Sequence, residues 1–170
     1  MEREYPQMNI CKRLPGTVNT LQFVSNWFED YYIRKAMDER FLSNHYMVYL
    51  LMDGIKTGEV QAYGVFDVKE DKAEDFLGMA WGWIAKDSYF EVHFAFDRGR
   101  DTMECARLCL AEMKKLNPAV KGIVGYIPDS NRAARMFAKR FGCRDNGIQK
   151  DKLFLKNGMA YSCREFRIEV

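Results

Sequence analysis

The 170-residue sequence lacks a charge excess of one sign. Its 26 Lys and Arg stand against 24 Asp and Glu, a formal net charge of +2. No single-sign field follows, so neither nucleic acid nor a membrane surface is an expected partner. Paired cysteine spacing is also missing. Cys11, Cys105, Cys109, Cys143 and Cys163 make an odd count. They predict neither a disulfide framework nor a metal site, but reduced thiols in a cytoplasmic protein. The longest apolar run, "YMVYLLM" at 46–52, is too short to cross a bilayer. The opening "MEREYPQMN" has no apolar centre, so a signal peptide is not expected. Internal repeats and low-complexity linkers are absent as well.

What is present is core-forming. Hydrophobic residues make up 48% and aromatics 14% of the chain, which is a globular and not a disordered composition. The length suits one domain over 1–170. Leu21, Val24, Phe28, Tyr31 and Tyr32 recur at helical spacing and predict a helix over 17–37. "ERFLSNHYMVYLLMDG" at 39–54 reads equally as a helix or as a helix running into a strand. "GEVQAYGVFDV" and "FLGMAWGWI", joined by the charged "KEDKAED", predict an antiparallel hairpin. "SYFEVHFAFD" at 88–97 is a third strand. Its alternation puts Tyr89, Glu91, His93 and Ala95 on one face and Phe90, Val92, Phe94 and Phe96 on the other.

A helix follows from Asp101, with a capping-box-like Glu104, Lys114 and Lys115 near its end, and Pro118 beyond it. "AVKGIVGYIP" is the next strand, and the pair closes a right-handed βαβ unit. Asp129 or Ser130 is the expected cap of a helix at 131–141. Gly142 ends that helix in the left-handed conformation. The tail predicts two strands turning at Asn157-Gly158. The fold class is therefore α+β, or mixed α/β, around one central sheet with antiparallel N-terminal strands, one parallel βαβ unit and a C-terminal hairpin.

This element order, together with "NRAARMFAKRFGC", resembles the GNAT-type N-acetyltransferases over about two thirds of the chain, 58–170. Asn131, Ala134 and Gly142 fall at the spacing of that family. The wording "HFAF … GYIPDSNRAARMFAKRFGC" is most similar to divergent GNAT-like proteins of phage and prophage genomes. The resemblance implies acetyl-CoA as co-substrate, no metal, and an amine acceptor that is a small molecule or a protein. It leaves the oligomeric state open, a dimer included. It implies a pyrophosphate site at the helix start after the third strand, and contacts to the cofactor from Phe96, Arg98, Gly99, Arg100, Thr102, Met103, Asn131 and Arg135. A helix N-terminus suits a pyrophosphate through its free N–H groups and partial positive charge. Glu91 and His93, two titratable groups on one strand face, are the candidate bases for deprotonating the amine.

Three departures from the family pattern stand out. Asp101 and Thr102 occupy the place where the phosphate loop has its first glycine, and a carboxylate there competes with phosphate for the helix amides. The tyrosine that protonates the leaving thiolate lies seven residues after the helix-opening Asn, where this chain has Ala138, with Phe137 beside it. Cys143 replaces a phenylalanine. For each candidate there is a plainer structural role. Asn131 is a helix-start residue, Arg132 and Arg135 are solvated helix arginines, His93 is a core histidine, Glu91 lies at a rim, and Trp81, Trp83, Tyr63 and Phe66 belong to the core. The resemblance implies that Trp27, Tyr31 and Tyr32 on the first helix line an acceptor cleft. His45, Cys105 and Cys109 read as packing residues. Two functions follow: acetyl transfer from acetyl-CoA to an amine, or a catalytically inactive GNAT-shaped interaction or structural protein of phage derivation.

Overall fold

A computed structural model describes residues 8–29, 45–68, 75–97 and 101–170. Seven strands form one sheet: β1 (Met8–Arg13), β2 (Gln61–Val68), β3 (Asp75–Ile84), β4 (Tyr89–Phe96), β5 (Gly122–Pro128), β6 (Arg144–Lys156) and β7 (Met159–Glu169). Four helices are described: α1 (Val18–Phe28), α2 (His45–Thr57), α3 (Thr102–Leu116) and α4 (Arg132–Phe141). The sheet order is β1-β2-β3-β4-β5-β7-β6, and β4–β5 is its parallel pair. This is the mixed α+β class expected from the sequence.

Helices pack on both faces of the sheet. Val24 and Phe28 of α1 and Leu51 and Ile55 of α2 bury against Met79, Trp81 and Ala95 on one face. Cys105, Cys109 and Met113 of α3 bury against Tyr63, Leu77, Phe90 and Ile123 on the other. Strand β3, covered on both sides, is therefore buried without alternation from Leu77 to Gly82, as expected for a doubly covered strand. Each fully buried large side chain, such as Phe90 or Phe166, contributes about 1.5–3 kcal/mol relative to exposure.

Local signals explain most boundaries. Thr17 caps α1 by accepting from the Thr20 N–H, and the stretch expected to continue that helix from residue 30 lies outside the described residues. The described part of the ambiguous segment is helical from His45 onward, and 39–44 lie outside the described residues. Gly142 ends α4 at φ 103°, and Asn157 and Gly158, at φ 51° and 71°, make the last hairpin turn. One strand is not expected from the sequence, and one expectation needs correction. The edge strand β1, antiparallel to β2, is not signalled by its mixed "MNICKR" pattern. The cap of α4 is Asn131, whose Oδ1 accepts from the Ala134 N–H at 3.0 Å, not Asp129 or Ser130. Asp129 is engaged elsewhere, by the guanidinium groups of Arg164 and Arg135.

Candidate active site

Strands β4 and β5 pair only over Tyr89–Gly122, Phe90–Ile123 and Glu91–Val124. Beyond Glu91 they have no register with each other. Val92 to Phe96 continue against β3, and Gly125 to Pro128 continue against β7. The sheet is thus split on the C-terminal side of its parallel pair, and backbone groups along the split are turned away from a neighbouring strand. In open α/β sheets, ligands enter at the carboxyl ends of parallel strands.

Glu91 and His93 share a sheet face, as their alternation predicts. The register sets Trp83 opposite Glu91 and Trp81 opposite His93. The His93 ring stacks on Trp81 at 5.6 Å and 18° and lies 5.5 Å from Trp83. Trp81 and Tyr63 are core residues and Phe66 is packed against the core, but Trp83 is exposed at the rim. His93 is crowded by both tryptophan rings yet keeps an exposed surface. That crowding, then the Lys152 ammonium, draws its imidazole below the ordinary value.

The Glu91 side chain is largely buried, 13% exposed. Desolvation raises its carboxyl above the ordinary value, and Asp87 adds to this, while Lys152 opposes it. The Lys152 Nζ lies 3.8 Å from Glu91 Oε2 and 4.3 Å from the centroid of the Tyr126 ring. Burial raises the Tyr126 phenol, with Glu165 and Glu91 adding to it. Tyr126 stands two residues beyond Val124 on β5 and so projects on the Glu91 face, past the last β4–β5 pair. Neither Lys152 nor Tyr126 is singled out by sequence reasoning. For Tyr126 the usable signal is the alternation of "GIVGYIP". For Lys152 there is none, because it arrives through the sheet order β5-β7-β6.

The other predicted residues divide into three groups. Arg98, Gly99 and Arg100 lie outside the described residues, as do Tyr31 and Tyr32. Thr102 and Met103 begin α3, where Asp101 Oδ1 accepts from the N–H groups of Met103 and Glu104, each at 3.1 Å. Phe96 ends β4, stacked 5.9 Å from Phe94. Asn131 is occupied as a cap, and Arg135 pairs with Asp129 at 3.5 Å. Phe94 meets Phe137 and Phe141 of α4 on the face opposite Glu91, so α4 closes the far side of the split. Ala138 is buried within α4. Trp27 does not stand free in a cleft: its Nε1 donates to Asp97 Oδ1 at 3.3 Å, tying α1 to the end of β4. Cys105 and Cys109 are buried, and Cys109 Sγ lies 3.8 Å from Cys11 Sγ. Among the described residues no cluster of three or more His, Cys, Asp or Glu is placed to hold a metal ion, and no helix is long and apolar enough to cross a membrane.

The fold is that of the N-acetyltransferases. A spermidine N-acetyltransferase chimera of Vibrio cholerae SpeG and human SSAT superposes with a TM-score of 0.73 at 14% identity, over 95% of each chain. The Salmonella typhimurium acetyl transferase that modifies the N-terminal serine of ribosomal protein L7/L12 gives 0.67 at 12%, over 94% of this chain and 99% of that one. Arabidopsis thaliana NAA60, in complex with acetyl-CoA, gives 0.67 at 12%, over 96% and 99%. At these identities the likeness is one of fold. No family model and no curated protein matches the sequence.

Proposed function

We propose that the chain is an acetyl-CoA-dependent N-acetyltransferase acting on an amine. One observation carries this reading: the split between β4 and β5 opens directly beyond Glu91, a buried carboxyl held above its ordinary value. The fold neighbours support it, being a spermidine N-acetyltransferase and an acetyl transferase that modifies a protein N-terminus. A phage or prophage origin rests on the wording of 93–96 and 125–143.

The residues present fit the chemistry in part. Unpaired strand edges along the split suit an extended amide-bearing arm, and the aromatic group of Phe94, Phe96, Phe137 and Phe141 gives that arm an apolar wall. Glu91, desolvated and hence more basic than an ordinary carboxylate, takes a proton from the acceptor ammonium. Tyr126, its phenol raised by burial and so protonated at neutral pH, is the proton donor to the departing thiolate in this reading, the role that Ala138 cannot fill. His93 and Trp83 line the amine's approach. The pyrophosphate end fits less well, because the Asp101 cap already uses two amides at the start of α3. Arg135 and the arginines at 98 and 100 supply the compensating charge in this reading.

Calorimetric titration with acetyl-CoA tests the reading first, and a panel of amines with thiol detection tests it second. Binding and release of CoA thiol are expected. No heat at millimolar acetyl-CoA removes the proposal.

A further inference from the structure

Lys152 is a cation at the proposed site that no step of the transfer requires, and among the described residues it is the one paired with Glu91 itself. Strand β6 delivers it. The register of β6 against β7 breaks between Gln149 and Leu153, so the segment bearing Lys152 is released from its ladder and leans over the Glu91 face. Its Nζ then has a carboxylate at 3.8 Å and an aromatic face at 4.3 Å. A carboxylate paired with the face of a phenol ring is how a protein holds a primary ammonium. The lysine head group is itself a primary ammonium. It occupies, from within the chain, the place an acceptor amine would take beside Glu91. Three other described lysines are held elsewhere: Lys115 by Glu112, Lys139 by Asp145, and Lys114 by the Val120 carbonyl.

We infer that Lys152 is an internal acceptor, a self-acetylation site of the chain. This rests on the transferase reading of the same site. Glu91 takes one proton from the Lys152 ammonium and passes it to water. The freed amine attacks the thioester carbonyl carbon of acetyl-CoA, forming the C–N bond as the C–S bond breaks. The second proton lost by the nitrogen passes by way of the Tyr126 hydroxyl to the thiolate. The products are Nε-acetyl-lysine and CoA thiol. Acetylation removes the charge that holds the side chain against Glu91 and Tyr126. The modified arm then leaves the carboxylate to an external amine.

The experiment incubates the full chain with isotope-labelled acetyl-CoA and maps labelled lysines by peptide mass spectrometry. Lys152 is expected to label roughly 100-fold faster than Lys121 or Lys156, and Glu91→Gln is expected to erase that preference. The rate constant is expected not to change with protein concentration, as an intramolecular step requires. Equal labelling of the three lysines, an unchanged preference in Glu91→Gln, or an apparent first-order rate constant that rises with protein concentration overturns the inference. The amine panel is run beside it. Turnover of external amines without labelling at Lys152 rejects self-acetylation and leaves the transferase reading intact. Failure of acetyl-CoA to bind rejects both.

Discussion

The Oδ1 of Asp101 accepts a hydrogen bond from the Met103 N–H at 3.1 Å. The same oxygen takes the Glu104 N–H, so a fixed anion sits where the proposed pyrophosphate would use α3. Asn caps a helix about as well as Asp but carries no charge. Asp101→Asn is therefore expected to keep the melting temperature close to wild type and to tighten acetyl-CoA binding several-fold, read by calorimetry. Asp101→Ala removes the cap and is expected to cost about 1 kcal/mol. If Asp101→Asn weakens acetyl-CoA binding, the carboxylate does not oppose the phosphates.

Glu91 sets the expected pH dependence. As a base it works only when ionised, so kcat/KM is expected to rise with pH through a value above the ordinary carboxylate 4.5. Burial is the main cause, and Lys152 opposes it. Lys152→Met is expected to move that inflection upward, and Asp87→Asn to move it downward. Glu91→Gln is expected to lower kcat by about 100-fold with a smaller effect on KM. Loss of the inflection in a His93→Gln variant, with Glu91 intact, would assign it to the imidazole instead.

The two groups leave opposite marks on stability. Glu91 is raised in the fold, so its contribution is whole below its ordinary value and is lost as pH rises through the folded value. His93 is lowered in the fold, so its contribution is whole above the ordinary 6.5 and is lost as pH falls through the folded value. Thermal melts of wild type against Glu91→Gln are expected to converge at low pH, with the variant gaining on wild type as pH rises. Melts of wild type against His93→Gln are expected to separate as the pH drops below 6.5, the variant being spared the loss.

Tyr126→Phe removes the proposed proton donor and keeps the ring under Lys152. It is expected to reduce kcat about 10- to 100-fold without lowering the melting temperature. Restoring a hydroxyl at Ala138 is not expected to rescue it. Ala138 is buried, and a tyrosine there overpacks α4 at a cost of about 1–3 kcal/mol. Turnover with the amine panel and melting of the double variant check both statements.

Much of this frame is legible in local sequence. A period of two places Glu91 and His93 together on β4 without knowledge of any partner strand. Gly142 and Asn157-Gly158 mark their turns because their backbones take positive φ. Lys152 is not legible, since "QKDK" reads only as part of a tail strand, and only the sheet order carries it across to a residue 61 positions earlier (152 − 91). The same holds for β1, whose "MNICKR" gains strand character from pairing with β2. Asp129 looks like a cap in isolation. It loses that role to Asn131 because Arg164, distant in sequence, holds its carboxylate.

Gly82 controls the position of the base from the neighbouring strand. It lies opposite Val92, and a Cβ on it would fall 1.8 Å from the Glu91 carbonyl oxygen and 2.8 Å from the Phe90 ring. Neither neighbour has room to yield. The carbonyl belongs to the last paired residue before the split, and Phe90 is fully buried. Gly82→Ala is thus expected to push β4 away from β3 at Glu91, with an overpacking cost of about 1–3 kcal/mol. The displacement acts on the carboxylate that faces the amine, so kcat is expected to fall even at temperatures where the variant is fully folded. Gly147→Ala is the comparison, because a Cβ there meets nothing within 4 Å. Its positive φ of 88° costs stability, but it is expected to leave turnover of the folded fraction at the wild-type level. A Gly82→Ala variant with wild-type kcat when folded would mean that the spacing of β3 and β4 does not set the position of Glu91.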